Sequence, residues 1–234
     1  MFFESGKQGF YYCEFWYTKY TLVIKFTNRK GVPPDMSKTN SSATATKVAV
    51  PQIDNEIGQA LIEMLKLKNH RICQHSFQVA NYAVSIAAQM RLPKEELERI
   101  RLAAVLHDVG QLSVPNSIIT KLPYLSTREM SLYRNHCNAG AAMLENMEAF
   151  KELIPYIRFH HEQWDGKGYP KRLKGVNIPL GARIIAVANH YDRFINPCEQ
   201  NWAKTKKEAV RELNNIAGAV LDPEVVKAFI NALG

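Results

Sequence analysis

From about residue 53 to the C-terminus, apolar residues recur at the spacing of an α-helix, and this periodicity constrains the fold more than any other feature. The first such stretch carries Ile57, Leu61, Met64 and Leu65, with Asp54 as its predicted N-cap. Comparable stretches follow at about 71–90, 93–110, 126–147, 149–162, 180–195, 204–217 and 223–232. The sequence therefore predicts an all-α bundle of seven or eight helices.

The first 52 residues have a different character. Residues 9–28 are rich in aromatic and β-branched side chains, which predicts one or two short strands. Residues 31–52 are dominated by Pro, Ser, Thr and Asn and are typical of a linker. We therefore divide the chain into a β-prone segment (1–30), a linker (31–52) and a helical domain (53–234).

Composition limits the class of protein. With 234 residues, of which 46% are apolar and 22% charged, the chain is neither disordered throughout nor fibrous. No apolar run reaches the roughly 18–20 residues that span a bilayer, and the first ten residues lack the features of a signal peptide. We expect a cytoplasmic protein with no membrane association and, from four widely spaced cysteines, free thiols. The net charge of +8 is compatible with a phosphate-bearing ligand or with an ordinary basic surface.

Several histidines and one aspartate stand at predicted helix ends or within separate helices. These candidate ligands are His75, His107, Asp108, His136, His160 and His161. Imidazole and carboxylate groups suit transition metals, and the helices of a bundle can enclose a metal centre. Ordinary core or surface histidines would give the same pattern, because the sequence does not show whether the side chains converge.

Two motifs carry a resemblance to a known family. His107-Asp108-Val109-Gly110 resembles the HD signature of the HD superfamily of metal-dependent phosphohydrolases. The stretch HHEQWDGKGYP at residues 160–170 resembles the motif of its HD-GYP subfamily. Segments at 114–121, 177–188 and 221–226 resemble further family segments in the same order. On these residues the region of roughly 55–234 is identified as a member of the HD-GYP family.

The resemblance implies an HD-type helical bundle that hydrolyses cyclic di-GMP, a bacterial second messenger, with two metal ions, Fe or Mn. The implied ligands are His75, His107, Asp108, His136, His160, His161 and, where the family usually has an aspartate, Asn189. Asp108 would bridge the two ions and, together with Gln111, is assigned to catalysis. The implied substrate-binding residues in the loop are Asp165, Gly166, Gly168, Tyr169 and Pro170.

The chain departs from the family pattern at positions that bind phosphate. Gln111 is neutral where the family usually has a lysine, and residues 194–199 lack the family's cations. Arg71 stands where three-metal members have a glutamate, so two ions are expected rather than three. The candidates to replace the lost cations are Lys121, Lys167, Lys171, Arg183 and Arg193, of which we assign Lys121 and Arg183 to substrate binding.

Three functions are compatible with these residues. The first, which we favour, is a phosphodiesterase that opens cyclic di-GMP, with either the linear dinucleotide or GMP as its final product. The alternative is a catalytically impaired HD-GYP domain that binds a related nucleotide or docks signalling proteins without turnover. A third would use the Lys and aromatic residues at 17–20 to bind nucleic acid, which we do not expect. A homodimer is compatible with each of them.

Overall fold

The computed structural model describes the backbone of residues 11–18 and 21–28 and the whole of residues 56–196 and 203–233. Contacts divide the chain into two units, Met1–Asp54 and Asn55–Gly234. The first contains strands β1 (Tyr11–Thr18) and β2 (Thr21–Asn28), which pair antiparallel. The linker expected at 31–52 and the N-cap expected at Asp54 lie outside the described residues, so the domain boundaries stay a prediction.

The described residues of the second unit form helices joined by loops and contain no strand, which confirms the all-α bundle. Its α-helices are α1 (Glu56–Lys68), α2 (His70–Gln89), α3 (Lys94–Leu106), α4 (Asn116–Ile119), α5 (Thr127–Arg134), α6 (His136–Leu144), α7 (Ile154–Phe159), α8 (Leu180–Ile195), α9 (Lys206–Ile216) and α10 (Pro223–Leu233). Short 3₁₀ turns lie at Val109–Ser113, Glu148–Leu153 and Gly175–Asn177. Among the residues described, no helix has the length and apolar character needed to cross a bilayer.

The helix count exceeds the seven or eight predicted because one predicted helix is divided and a short one was missed. The helix expected at 126–147 is broken at Asn135 into α5 and α6. At this break Nδ1 of His136 donates a hydrogen bond to the backbone carbonyl oxygen of Tyr133, at 2.7 Å. The capping box expected at the start of α5 is confirmed, since Ser126 and Glu129 each accept a backbone N–H of the other.

Helices α2, α3 and α8 pack against one another at the centre of this unit. The α2–α3 contact is lined by small buried side chains, Ala83 and Ala87 on α2 and Ala103 and Ala104 on α3, which let the two backbones come close. Helix α8 buries its apolar face between them through residues such as Ile184. This central layer fixes the helix positions from which the candidate ligands project.

A cluster of aromatic rings joins α2, α8 and α10 in the core. Tyr82, Tyr191 and Phe229 meet edge to face, with ring centroids 4.8–5.7 Å apart. Such aromatic contacts contribute beyond their buried area. The cluster ties the last helix, α10, to α2 and α8.

We expect Phe229→Ala to lower the free energy of unfolding by about 3–5 kcal/mol, because it leaves a cavity among these rings. Leu67→Ala is the control, since Leu67 is 87% exposed and its loss should change stability by less than about 0.5 kcal/mol. Urea unfolding followed by circular dichroism measures both. Equal effects of the two substitutions would contradict this role of Phe229.

Candidate metal centre

Three of the candidate histidines share one local geometry. In each, Nδ1 donates a hydrogen bond to the backbone carbonyl three residues earlier. These 2.7 Å bonds join His107 to Ala104, His136 to Tyr133 and His160 to Ile157. The bond assigns the proton to Nδ1, so that Nε2 carries the free lone pair, which is the arrangement of a metal-ligating imidazole.

His75 is held by a carboxylate instead of a carbonyl. Its Nδ1 lies 2.6 Å from Oδ2 of Asp192, and its Nε2 lies 3.1 Å from Oδ1 of Asn189. The other oxygen of Asp192 accepts a bond from Asn196 at 3.0 Å. Sequence reasoning missed Asp192; its spacing of three residues from Asn189 on one helix was the signal that could have found it.

Asp108 lies between two histidines. Its Oδ2 is 3.4 Å from Nε2 of His107, and its Oδ1 is 3.3 Å from Nε2 of His136. Burial opposes ionisation, but the two imidazoles outweigh it and hold the pKa of Asp108 well below its ordinary value. Burial likewise opposes protonation of His136, yet Asp108 and Cys137 raise the pKa of His136 well above its ordinary value. The buried carboxylate therefore favours positive charge at its neighbours.

The candidate ligands converge in two groups. Within each group the donor atoms lie within 4.8 Å of one another; one group is His75, His107 and Asp108, and the other is His136, Cys137, His160 and His161. The groups adjoin, because the rings of His107 and His160 are 5.0 Å apart. Sequence spacing could not show this convergence, and Cys137 was not among the predicted residues.

These residues fit a metal ion. Four of the buried polar atoms that have no hydrogen-bond partner within the described part of the chain belong to these candidate ligands: Nε2 of His107, His160 and His161 and Oδ1 of Asp108. Such atoms are costly to leave unpaired. Burial, followed by neighbouring histidines, lowers the pKa of His160 and of His161 well below the ordinary value, so both lone pairs are available at pH 7. Imidazole and carboxylate donors suit iron, manganese and zinc.

Gly110 brings Asp108 close to His136. A side chain at residue 110 would overlap the carbonyl oxygen of His136 and lie 2.5 Å from the backbone nitrogen of Gly140. The 3₁₀ turn Val109–Ser113 therefore rests directly on the backbone of α6, a contact that only glycine allows. Gln111 lies in the same turn and is 3% exposed.

The loop after His161 is organised by a buried glutamate. The carboxylate of Glu162 accepts the backbone N–H of Lys171 at 2.6 Å and of Leu173 at 3.0 Å. Gly168 lies so close to the backbone of Glu162 that a Cβ there would overlap it. Glu162 thus closes the loop over the end of α7.

The ring of Tyr169 covers one of the candidate ligands. It stacks on His161 with a centroid distance of 4.8 Å and an interplanar angle of 22°. The exposed guanidinium of Arg134 lies 5.1 Å from the same tyrosine ring. Tyr169 therefore forms part of the rim of the centre.

The other predicted loop residues lie on either side of Tyr169. Asp165 accepts the backbone N–H of Lys167 at 3.0 Å and pairs with its ammonium at 2.9 Å. Gly166 has φ +85°, a left-handed conformation that favours glycine. Pro170 follows Tyr169 and is half-buried. These contacts shape the turn itself.

The predicted cations occupy different surroundings. Lys121 pairs with Glu129 at 2.6 Å, between α4 and α5. Arg183 pairs with the buried Asp222 at 2.6 Å, at the start of α10. Arg193 is the candidate beside the centre, because its Nε donates to Oδ1 of Asn189 at 3.0 Å.

Residues 59–225 match the family model described as "HD domain". The chain belongs to the HD domain family. The resemblance to HD-GYP proteins is confirmed by relatives of that kind. A cyclic di-GMP phosphodiesterase of Thermotoga maritima is 33% identical over 75% of this chain and 47% of the relative. Another, from Pseudomonas aeruginosa, is 34% identical over 75% of this chain and 43% of the relative. The chain thus matches less than half the length of either relative.

A solved structure agrees on the fold. A cyclic GMP-AMP specific phosphodiesterase of V. cholerae matches with a TM-score of 0.59 at 21% identity, covering 76% of this chain and 48% of that one. At this identity the likeness concerns the fold alone. It supports the helical arrangement from which the HD residues project.

We expect Asp192→Ala to weaken metal binding about 10- to 100-fold, because loss of an outer carboxylate frees the ring of His75. Asn196→Ala is the matched control, since it removes another partner of Asp192 and leaves the bond to His75 intact. Equilibrium dialysis against Mn(II), with metal analysis of the protein, measures both. Unchanged affinity in the Asp192 variant would contradict its role in holding His75.

Proposed function

We propose that this chain is a metal-dependent phosphodiesterase that opens cyclic di-GMP, with either the linear dinucleotide or GMP as its final product. One observation carries the proposal: Asp108 lies between His107 and His136 of the two groups, and Nε2 of His107, His160 and His161 has no hydrogen-bond partner among the described residues. The names of the relatives from Thermotoga maritima and Pseudomonas aeruginosa support the choice of substrate.

In this proposal two ions, Fe or Mn, are held by the candidate ligands. His75 and His107 would hold one, His136, His160 and His161 the other, and Asp108 would bridge them. The chemistry expected of such a centre is activation of a water molecule and neutralisation of phosphoryl charge. The chain's own contribution is orientation, because each Nδ1 bond fixes an imidazole ring before substrate arrives.

Asn189 enters the proposal as an uncharged ligand. Its amide oxygen lies 3.1 Å from Nε2 of His75 and accepts a bond from Arg193. An amide oxygen that also accepts a hydrogen bond from a guanidinium is a weaker metal ligand than a carboxylate. We therefore infer that the ion beside His75 is bound less tightly than its neighbour.

We further infer that Arg193 binds a phosphate oxygen of the substrate. The side chain is exposed, and its positive charge contributes to lowering the pKa of His75 and His161, although burial is the larger cause for both. Because those histidines belong to different groups, the charge of Arg193 acts on both. A guanidinium suits a phosphate, with which it can form two parallel hydrogen bonds.

The loop residues that the resemblance assigns to substrate, Asp165, Gly166, Gly168, Tyr169 and Pro170, would border the nucleotide on the side of His161. The structural partners of Lys121 and Arg183 make Arg193 the stronger candidate for phosphate binding. The cytoplasmic location, a homodimer and docking to signalling proteins stay predictions. So does the expectation that nucleic acid is not bound, since the side chains at 17–20 lie outside the described residues.

The direct test is hydrolysis of cyclic di-GMP by protein prepared without oxygen and loaded with Fe(II) or Mn(II). We expect Asp108→Ala to lower kcat at least about a hundredfold, because it removes the charge shared by the two groups. Glu212→Gln, a change on α9 outside the centre, should leave kcat unchanged. Absence of hydrolysis by folded, metal-loaded protein would contradict the enzymatic function. It would favour the non-catalytic nucleotide-binding module, which the neutral side chain of Gln111 supports. Cyclic GMP-AMP assayed in parallel tests the alternative nucleotide.

The role of Arg193 is tested by Arg193→Ala, which should lower kcat/KM about 10- to 100-fold through loss of a charge-assisted hydrogen bond. Arg193→Lys should recover part of that loss because it keeps the charge. Lys66→Ala is the control, since that lysine is exposed on α1 and pairs with Glu63. Metal content measured on each variant separates phosphate binding from an effect through Asn189. An Arg193→Ala variant with full activity and full metal content would rule the role out.

A further inference from the structure

The thiol of Cys137 lies among the donor atoms of one histidine group. Its Sγ is 3.5 Å from Nε2 of His136, the preceding residue. This Sγ and one ring nitrogen each of His136, His160 and His161 lie within 4.8 Å of one another. Cys137 is completely buried, at the start of α6.

A second observation indicates that this cluster receives a ligand. His160 is 1% exposed, and its Nε2 has no hydrogen-bond partner among the residues described; the same is true of Nε2 of His161. Both histidines belong to the group that contains Cys137. Two imidazole lone pairs and a thiol thus face one another inside the protein.

We propose that Cys137 is a further protein ligand of the ion held by His136, His160 and His161. The inference rests on the metal centre of the proposed function. Metal–sulfur and metal–nitrogen bonds of about 2.3 and 2.0–2.1 Å place two neighbouring donors about 3.1–3.5 Å apart as the angle at the metal goes from 90° to tetrahedral. The observed 3.5 Å between Sγ and Nε2 lies at the upper end of that range. On coordination the S–H bond breaks, its electron pair is donated to the ion, and the proton leaves to solvent.

A thiolate would make the two metal positions chemically different. Sulfur and imidazole donors favour zinc, Fe(II) and Co(II), whereas carboxylate and carbonyl oxygens suit manganese. The position with Cys137 is then the softer one, and the position with His75, Asn189 and Asp108 is the harder one. The chain would take up two different metals more readily than two ions of Mn.

Cobalt(II) binding to the full chain tests the ligand role without any assay of hydrolysis. A thiolate bound to Co(II) gives a sulfur-to-metal charge-transfer band in the near ultraviolet, and a thiol that donates a hydrogen bond to His136 gives none. We expect the band in the wild-type protein and its loss in Cys137→Ala and Cys137→Ser. Loss of an outer partner alone weakens metal binding 10- to 100-fold, so removal of a direct ligand should raise the Kd for Co(II) at least about tenfold.

Cys73→Ser is the matched control. Cys73 is also buried, but it lies on α2, outside both groups of donor atoms, and its substitution should leave the band intact. Co(II) binding without the band, or a band that survives in folded Cys137 variants, overturns the role of Cys137 and leaves the phosphodiesterase proposal standing. Failure of the folded wild-type chain to bind Co(II) overturns both. Circular dichroism establishes that each variant is folded.

Discussion

The centre depends on a carboxylate that is buried with its charge. Asp108 is 2% exposed and lies against the imidazoles of His107 and His136. A buried carboxylate is tolerated only where positive charge or hydrogen-bond donors surround it. The chain surrounds Asp108 with imidazoles, each of which can bind either a proton or a metal ion at Nε2. The site therefore favours positive charge within an otherwise apolar helical core.

The bonds that orient the imidazoles are also part of how the helices end. The last carbonyls of a helix lack intrahelical partners, and a nearby side chain can take one of them. His107 and His160 follow α3 and α7 and take such a carbonyl, and His136 does so where α5 gives way to α6. At three places, therefore, the hydrogen bond that ends a helix also orients a candidate metal ligand. Moving any of these helix ends by one residue would turn the corresponding Nε2 away from Asp108.

This coupling explains what the sequence could and could not predict. Periodicity predicted the long helices α2, α3 and α8 because each buries a continuous apolar face. It missed the break at Asn135, since the residues on both sides are helix-compatible and the cause is the bond from His136 to Tyr133. The motifs predicted most candidate ligands, but not the carboxylate of Asp192 that holds His75, since these two residues are 117 positions apart in the chain. Contacts of that range follow from the packing of α2 on α8, which no local pattern records.

The departures from the family pattern at the centre can be compared by the charge that each adds or removes. An amide at residue 189 removes one negative charge beside His75, and the guanidinium of Arg193 adds a positive charge at the same place. A thiolate at Cys137 would restore one negative charge within the other group. The total charge would then be nearly maintained but moved from the His75 side to the His136 side. On this argument the neutral residues Gln111 and Asn189 are balanced by two charges that this chain carries at the centre, the cation Arg193 on α8 and a thiolate at Cys137.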